Sequence, residues 1–109
     1  MYFITCFEKY VKTHKDLPYI GNERTVGYYP HKEWAVEDLH SNNLDIHEDM
    51  YDYAVIEKIS MGLYPVAEET IYFKWDEEKQ GFYEIDGNDM KDCFGNYAFG
   101  WGKSNETVR

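Results

Sequence analysis

Positive charge is in short supply in this sequence. Eleven lysines and arginines stand against 21 aspartates and glutamates, for a formal charge of -10. Contacts to phosphates need clustered Lys and Arg, so the composition argues against direct, non-specific binding of DNA or RNA. An anionic membrane surface would repel the chain for the same reason. Cysteine is equally sparse, with only Cys6 and Cys93. That excludes a disulfide scaffold and fits a compartment in which thiols stay reduced. Cys6 alternates within an apolar run and reads as an inert buried thiol. Cys93, beside Phe94, reads the same way, because Asp89, Lys91 and Asp92 supply no positive neighbourhood to activate it. No apolar run approaches the length of a membrane span. The opening MYFITCFEKY has neither the basic region nor the long apolar stretch of a signal peptide. The expected location is therefore the cytoplasm.

Catalytic signatures are missing too. The chain has no phosphate-cradling P-loop, no GxGxxG after a strand, no CxxC and no GxSxG. Four histidines occur, without a repeated spacing. His40 and His47 straddle a predicted helix break and fit no tight helical ligand pair. No catalytic residue, metal ligand or cofactor is expected.

What the chain has in abundance is aromatic surface and acid. Its 109 residues suit one domain, and its 11 tyrosines, 6 phenylalanines and 3 tryptophans are ample packing material for a small antiparallel sheet. The domain is expected to span 1–102, followed by a mobile polar tail, 103–109. Tyr2 to Tyr10 reads as an inner strand, because both alternating sets of side chains are apolar or β-forming. VKTHKDLPYIGN, with Pro18 and Gly21, reads as an exposed loop. ERTVGYY is a second strand, in which Gly27 marks a bulge or a close backbone approach. Pro30 suits the first position of a helix through HKEWAVEDLHS. Ala35, Val36 and Leu39 lie on one side of it, and Glu33, Glu37 and Asp38 on the other. Asn42-Asn43 stops it.

The stretch LDIHEDMYDYAVIEKI crowds acids into its first half and turns apolar in its second. Asp45 and Glu48 have the spacing of a capping pair, which predicts Asp45 as N-cap of a short turn with Glu48, Asp49 and Asp52 exposed. YAVIEKI is a third strand. LYPVAEE is a connection marked by Pro65. ETIYFKWDEEKQGFYEIDG is a β-hairpin whose turn runs from Asp76 to Gly81, with Gly81 suited to positive φ. Asn88 to Phe94 is predicted as a short closing helix. NYAFGWG either adds a strand or packs aromatics on the sheet. The resulting class is α+β, an antiparallel sheet of about five strands with one main helix on one face and a short C-terminal helix.

Across about its first hundred residues, the chain resembles a group of small acidic proteins encoded by gut Firmicutes and their phages or mobile elements. MYFITCFEKY, ERTVGYYPHKEWAVEDLHSN, DIHEDMYDYAVIEKISMGLYP, YFKWDEEKQGFYEI and NYAFG carry the resemblance. It implies phage-type roles, among them inhibition of a bacterial immune system. It assigns no catalytic or binding residue. Two functions follow as expectations. The first is a non-enzymatic binding protein acting on a basic protein partner through an acidic, tyrosine-rich surface, with Glu37, Asp38, Glu77, Glu78, Tyr28 and Tyr72 as contact residues. In a phage setting that partner is a nucleic-acid-binding defence protein. The second is an oligomeric binder of a nucleotide-like signal in an aromatic pocket, a reading weakened by the absence of an Arg/Lys phosphate cluster. A hydrolase built on the acids of residues 45–52 ranks third.

Overall fold

The computed structural model describes residues 1–12, 17–87 and 96–100. Five strands form one open antiparallel sheet: β1 (Tyr2–Lys12), β2 (Leu17–Tyr29), β3 (Tyr53–Ile59), β4 (Ala67–Asp76) and β5 (Gly81–Ile85), in the order β2-β1-β3-β4-β5. Between β2 and β3 come helix α1 (Lys32–His40) and a 3₁₀ segment (Asn43–Asp49). The α+β architecture is thus as the sequence predicts. The predicted helix at Asn88–Phe94, with Cys93, lies outside the described residues, as does the polar tail.

β1 is an inner strand because neither of its faces can be left in water. Ile4 and Cys6 are buried with Ala54, Ile56, Phe73 and Phe82 beneath Ala35 and Leu39 of α1. On the opposite face, Phe7 and Val55 are buried with Tyr97. Cys6 is free and fully buried, and burial, the largest cause, together with the charge on Asp49 pushes its thiol up to about 12. The helix uses the predicted side: Ala35 and Leu39 are buried and Val36 packs against them.

Three expectations about these elements need correction. The predicted loop at VKTHKDLPYIGN is strand on both sides, since the β1–β2 ladder continues to Lys12↔Leu17. In that ladder Ile20 pairs with Lys9 and Tyr19 with Tyr10, and backbone pairing overrides the turn signals of Pro18 and Gly21. Pro30 is not the first helical residue; α1 begins at Lys32 after an extended N-cap, His31. Gly81 does not carry the turn's positive φ, which falls on Gln80 at 55°. Gly81 is needed for space instead, because a Cβ there would sit 2.0 Å from the His40 carbonyl oxygen, where α1 ends on β5. Gly27 does mark a bulge: Ile4 pairs with Gly27 and Thr5 with Thr25, leaving Val26 as the extra residue.

No helix among the described residues is long and apolar enough to cross a membrane.

Candidate functional site

The start of β3, the end of β4 and the β4–β5 turn lie at one end of the sheet, and the Asn43–Asp49 segment packs there. This segment is two 3₁₀ turns broken by a kink rather than a capped helix. Asn42, Leu44, Asp45 and Met50 all adopt left-handed backbone, with φ of 51°, 57°, 56° and 76°. Such conformations cost roughly 1–3 kcal/mol each in non-glycine residues and persist only where surrounding contacts fix them. Asn42 supplies those contacts: its side-chain oxygen accepts the His47 N–H at 2.9 Å and its carbonyl accepts the Asp45 N–H at 2.9 Å. Asp45 is therefore not the N-cap. Asn42 is the N-cap, and its side chain braces the second turn at His47 rather than capping the first, because asparagine tolerates the left-handed backbone and still offers an acceptor.

The kink has a direct consequence for the surface. Leu44 is 92% exposed and Met50 71%. Around them Asp45, Glu48, Asp49 and Asp52 are exposed as the sequence predicts. Two apolar side chains thus stand among four carboxylates. One half-buried residue, His47, ties this segment to the hairpin. Its Nδ1 lies 2.8 Å from the Tyr51 carbonyl, an acceptor only, so Nδ1 carries the proton. Its ring stacks on Trp75 at 3.8 Å and 4°. Trp75 in turn donates its indole N–H to Glu77 at 2.8 Å. That hydrogen bond, with a second from Gln80, holds the Glu77 carboxyl below the ordinary glutamate range. Trp75 also meets the buried Phe82 edge-on, at 5.3 Å and 71°. The acidic end is therefore one braced unit.

The six predicted contact residues do not share one surface. Glu77 and Glu78 are exposed on the β4–β5 turn. Glu37 is exposed on the outer side of α1, in an open groove with Lys32, Glu33, Val36 and His40. Asp38 is half-buried, not exposed, and accepts hydrogen bonds from the Tyr29 hydroxyl and, at 3.0 Å, from Asn43. The bond to Asp38, then burial, raises the Tyr29 hydroxyl to about 12. Asp38 is tied up in joining α1 to β2. Tyr28 is 63% exposed at the far end of the sheet and stacks on Phe3. Tyr72 is half-buried, edge-on to Tyr97, with Gly87 pressed so close that a Cβ would overlap the tyrosine ring. Tyr28 and Tyr72 therefore do not line a common pocket.

Among the described residues no group of three or more His, Cys, Asp or Glu is placed to hold a metal ion. Asp49 and Asp52 are both exposed rather than enclosed in a pocket. His47 has one nitrogen on a backbone carbonyl and its ring face on Trp75.

Two features escaped the sequence reading. Glu57, in the middle of β3, is 1% exposed. Its carboxylate accepts the N–H groups of Tyr97 at 2.8 Å and Ala98 at 3.0 Å. The signal was present, since strict alternation puts Glu57 on the same face as Val55 and Ile59. The second is the loop after β3, where Met61 is 100% exposed and Leu63 91%. MGLYPV is six residues without a charge in a strongly acidic chain.

No family model, curated protein or solved structure matches the chain.

Proposed function

We propose that this protein is a non-enzymatic binding domain whose acidic end docks on a basic surface of a protein partner. The observation that carries the reading is the pair Leu44 and Met50, held outward on left-handed backbone among Asp45, Glu48, Asp49 and Asp52. Interface energy concentrates in a few side chains that fill pockets, while surrounding charge governs encounter and orientation. The bracing through Asn42, His47 and Trp75 supports the same reading, because a surface fixed before encounter loses little entropy on binding. Acting in the cytoplasm against a nucleic-acid-binding defence protein, the role the phage resemblance implies, the acids would occupy a groove that otherwise receives phosphates.

The test is kinetic. A partner captured from the host and identified by mass spectrometry is purified, and its on-rate is followed as salt rises. The Debye length shrinks from roughly 30 Å at 0.01 M to roughly 8 Å at 0.15 M, so the on-rate should fall steeply. Glu77→Lys with Glu78→Lys should slow association further, and Leu44→Ala with Met50→Ala should speed dissociation. An on-rate flat with salt and indifferent to both pairs would overturn the proposal.

A further inference from the structure

The opposite end of the sheet has a different character. It gathers the start of β1, the end of β2, the β3–β4 loop and the described C-terminal residues 96–100. In the loop, Met61 is 100% exposed, Leu63 91%, Tyr64 77% and Val66 50%. Beside it stand Tyr28 at 63%, Phe99 at 56% and Met1 at 47%. Phe3 joins them into one patch, stacking on Tyr28 at 5.6 Å and meeting Phe99 at 5.4 Å. Met1, Phe3, Ile59, Met61, Pro65 and Phe99 also line a single groove.

This patch is held in shape from behind. Asn96 is fully buried, donates to the Pro65 carbonyl and accepts the Phe99 N–H at 2.7 Å. Glu57 fixes the intervening Tyr97 and Ala98. The loop and the C-terminal residues are thereby locked to each other.

We infer that this apolar end is the interface between two copies of the chain, related by a twofold axis. Area is the first argument. Taking roughly 150–250 Å² for a fully exposed aromatic and somewhat less for an aliphatic, the exposed side chains offer roughly 800–1,000 Å². A standard interface removes about 800 Å² from each partner, and soluble monomers rarely leave an apolar patch of such size in water. Charge is the second argument. A chain of charge -10 can meet its own copy only where its charge is balanced. Here two ion pairs stand beside the patch, Lys32–Glu69 at 3.1 Å and Lys58–Glu68 at 3.9 Å, so it carries both signs. A twofold axis turns a patch bearing both signs onto itself, so each lysine can face a glutamate of the other copy. The carboxylates around Leu44 and on the β4–β5 turn lie at the other end of β4, a ten-residue strand of roughly 33 Å. Pairing at the apolar end points those acids outward and apart, beyond the roughly 8 Å reach of unscreened repulsion at physiological salt.

Sedimentation velocity of the full chain decides the matter. At about 100 μM protein, a concentration far above the dissociation constant of an interface this size, the mass should be twice 13.0 kDa. Leu63→Asp, at a side chain 91% exposed in the monomer, should raise the dimer dissociation constant about 100-fold while leaving the thermal melt of the monomer intact. Glu77→Lys with Glu78→Lys should leave the dimer unchanged and weaken only binding at the acidic end. A wild-type chain of monomer mass at this concentration, a dimer unaffected by Leu63→Asp, or a species larger than a dimer would each overturn the inference. None of these results touches the salt test of the acidic end.

Discussion

The two faces of the sheet are closed by different physics. On one, α1 lays Ala35 and Leu39 onto Ile4, Ile56, Phe73 and Phe82, and the seal is apolar packing. On the other, residues 96–100 lie across β1 and β3 and hang from polar groups. Glu57 accepts two backbone N–H groups, Thr25 donates to the Ala98 carbonyl at 3.2 Å, and Tyr97 stacks on Phe7 at 5.5 Å and 6°. A helix satisfies its own backbone and needs only apolar contact, whereas a short bent segment outside any helix or strand brings bare amides that must be paired before it can be buried. A buried carboxylate is an economical partner for two adjacent amides, since it accepts both with charge-assisted bonds.

Truncation on the helix side should do the most damage. Phe73→Ala, at a fully buried ring, should cost about 3–5 kcal/mol in chemical denaturation. Gly81→Ala should follow at about 1–3 kcal/mol, because the new methyl must displace the end of α1 from β5. A measured cost near zero would mean that α1 does not rest on β5.

Glu57→Gln separates the faces more sharply. The amide keeps one acceptor and turns its NH₂ toward the second N–H, so the loss should be about 1–3 kcal/mol. Hydrogen exchange should locate it, with Tyr97 and Ala98 losing protection while Leu39 keeps its own. Uniform loss on both faces would show that they do not open independently.

Alkaline titration probes the helix side again. The Cys6 thiol titrates near 12 in the fold, against an ordinary value of 9.0. The raised value means that the unfolded chain releases this proton first. Stability from this residue is therefore complete below pH 9 and declines as pH rises toward 12, by at most about 1.4 kcal/mol per unit. Tyr29, raised from 10.0 to about 12, adds a decline of the same sign that begins one unit higher. Cys6→Ala should remove the earlier part of the slope, and a thiol reagent should modify Cys6 only as fast as the protein unfolds. The smallest effect expected is from Glu78→Lys, at an exposed turn position, with no measurable shift in melting temperature.

The sequence was most legible where one physical cause dominated. YAVIEKI became β3 with the bounds read from its apolar run, and the helix turned its predicted side inward. Asp38 was misplaced because helical periodicity assigns it to the polar side, while Tyr29, nine residues away in sequence, reaches it across a strand end. Asp45 was misread because a capping pair is a local pattern, and Asn42 offered a competing local solution that the pattern could not weigh.

By itself, then, the sequence determined which segments had to leave water and with what period, and hence the strands, the helix and its inner side. It determined the large negative charge as well. The tertiary structure alone decided where that charge would count. Chain reversals send the uncharged MGLYPV loop to one end of the sheet and the DIHEDMYD acids to the other, and they bring Glu57 within reach of amides about 40 residues away. The reason is that hydrophobic periodicity acts between near neighbours, whereas the partner of a buried charge is set by strand order, which no local pattern encodes.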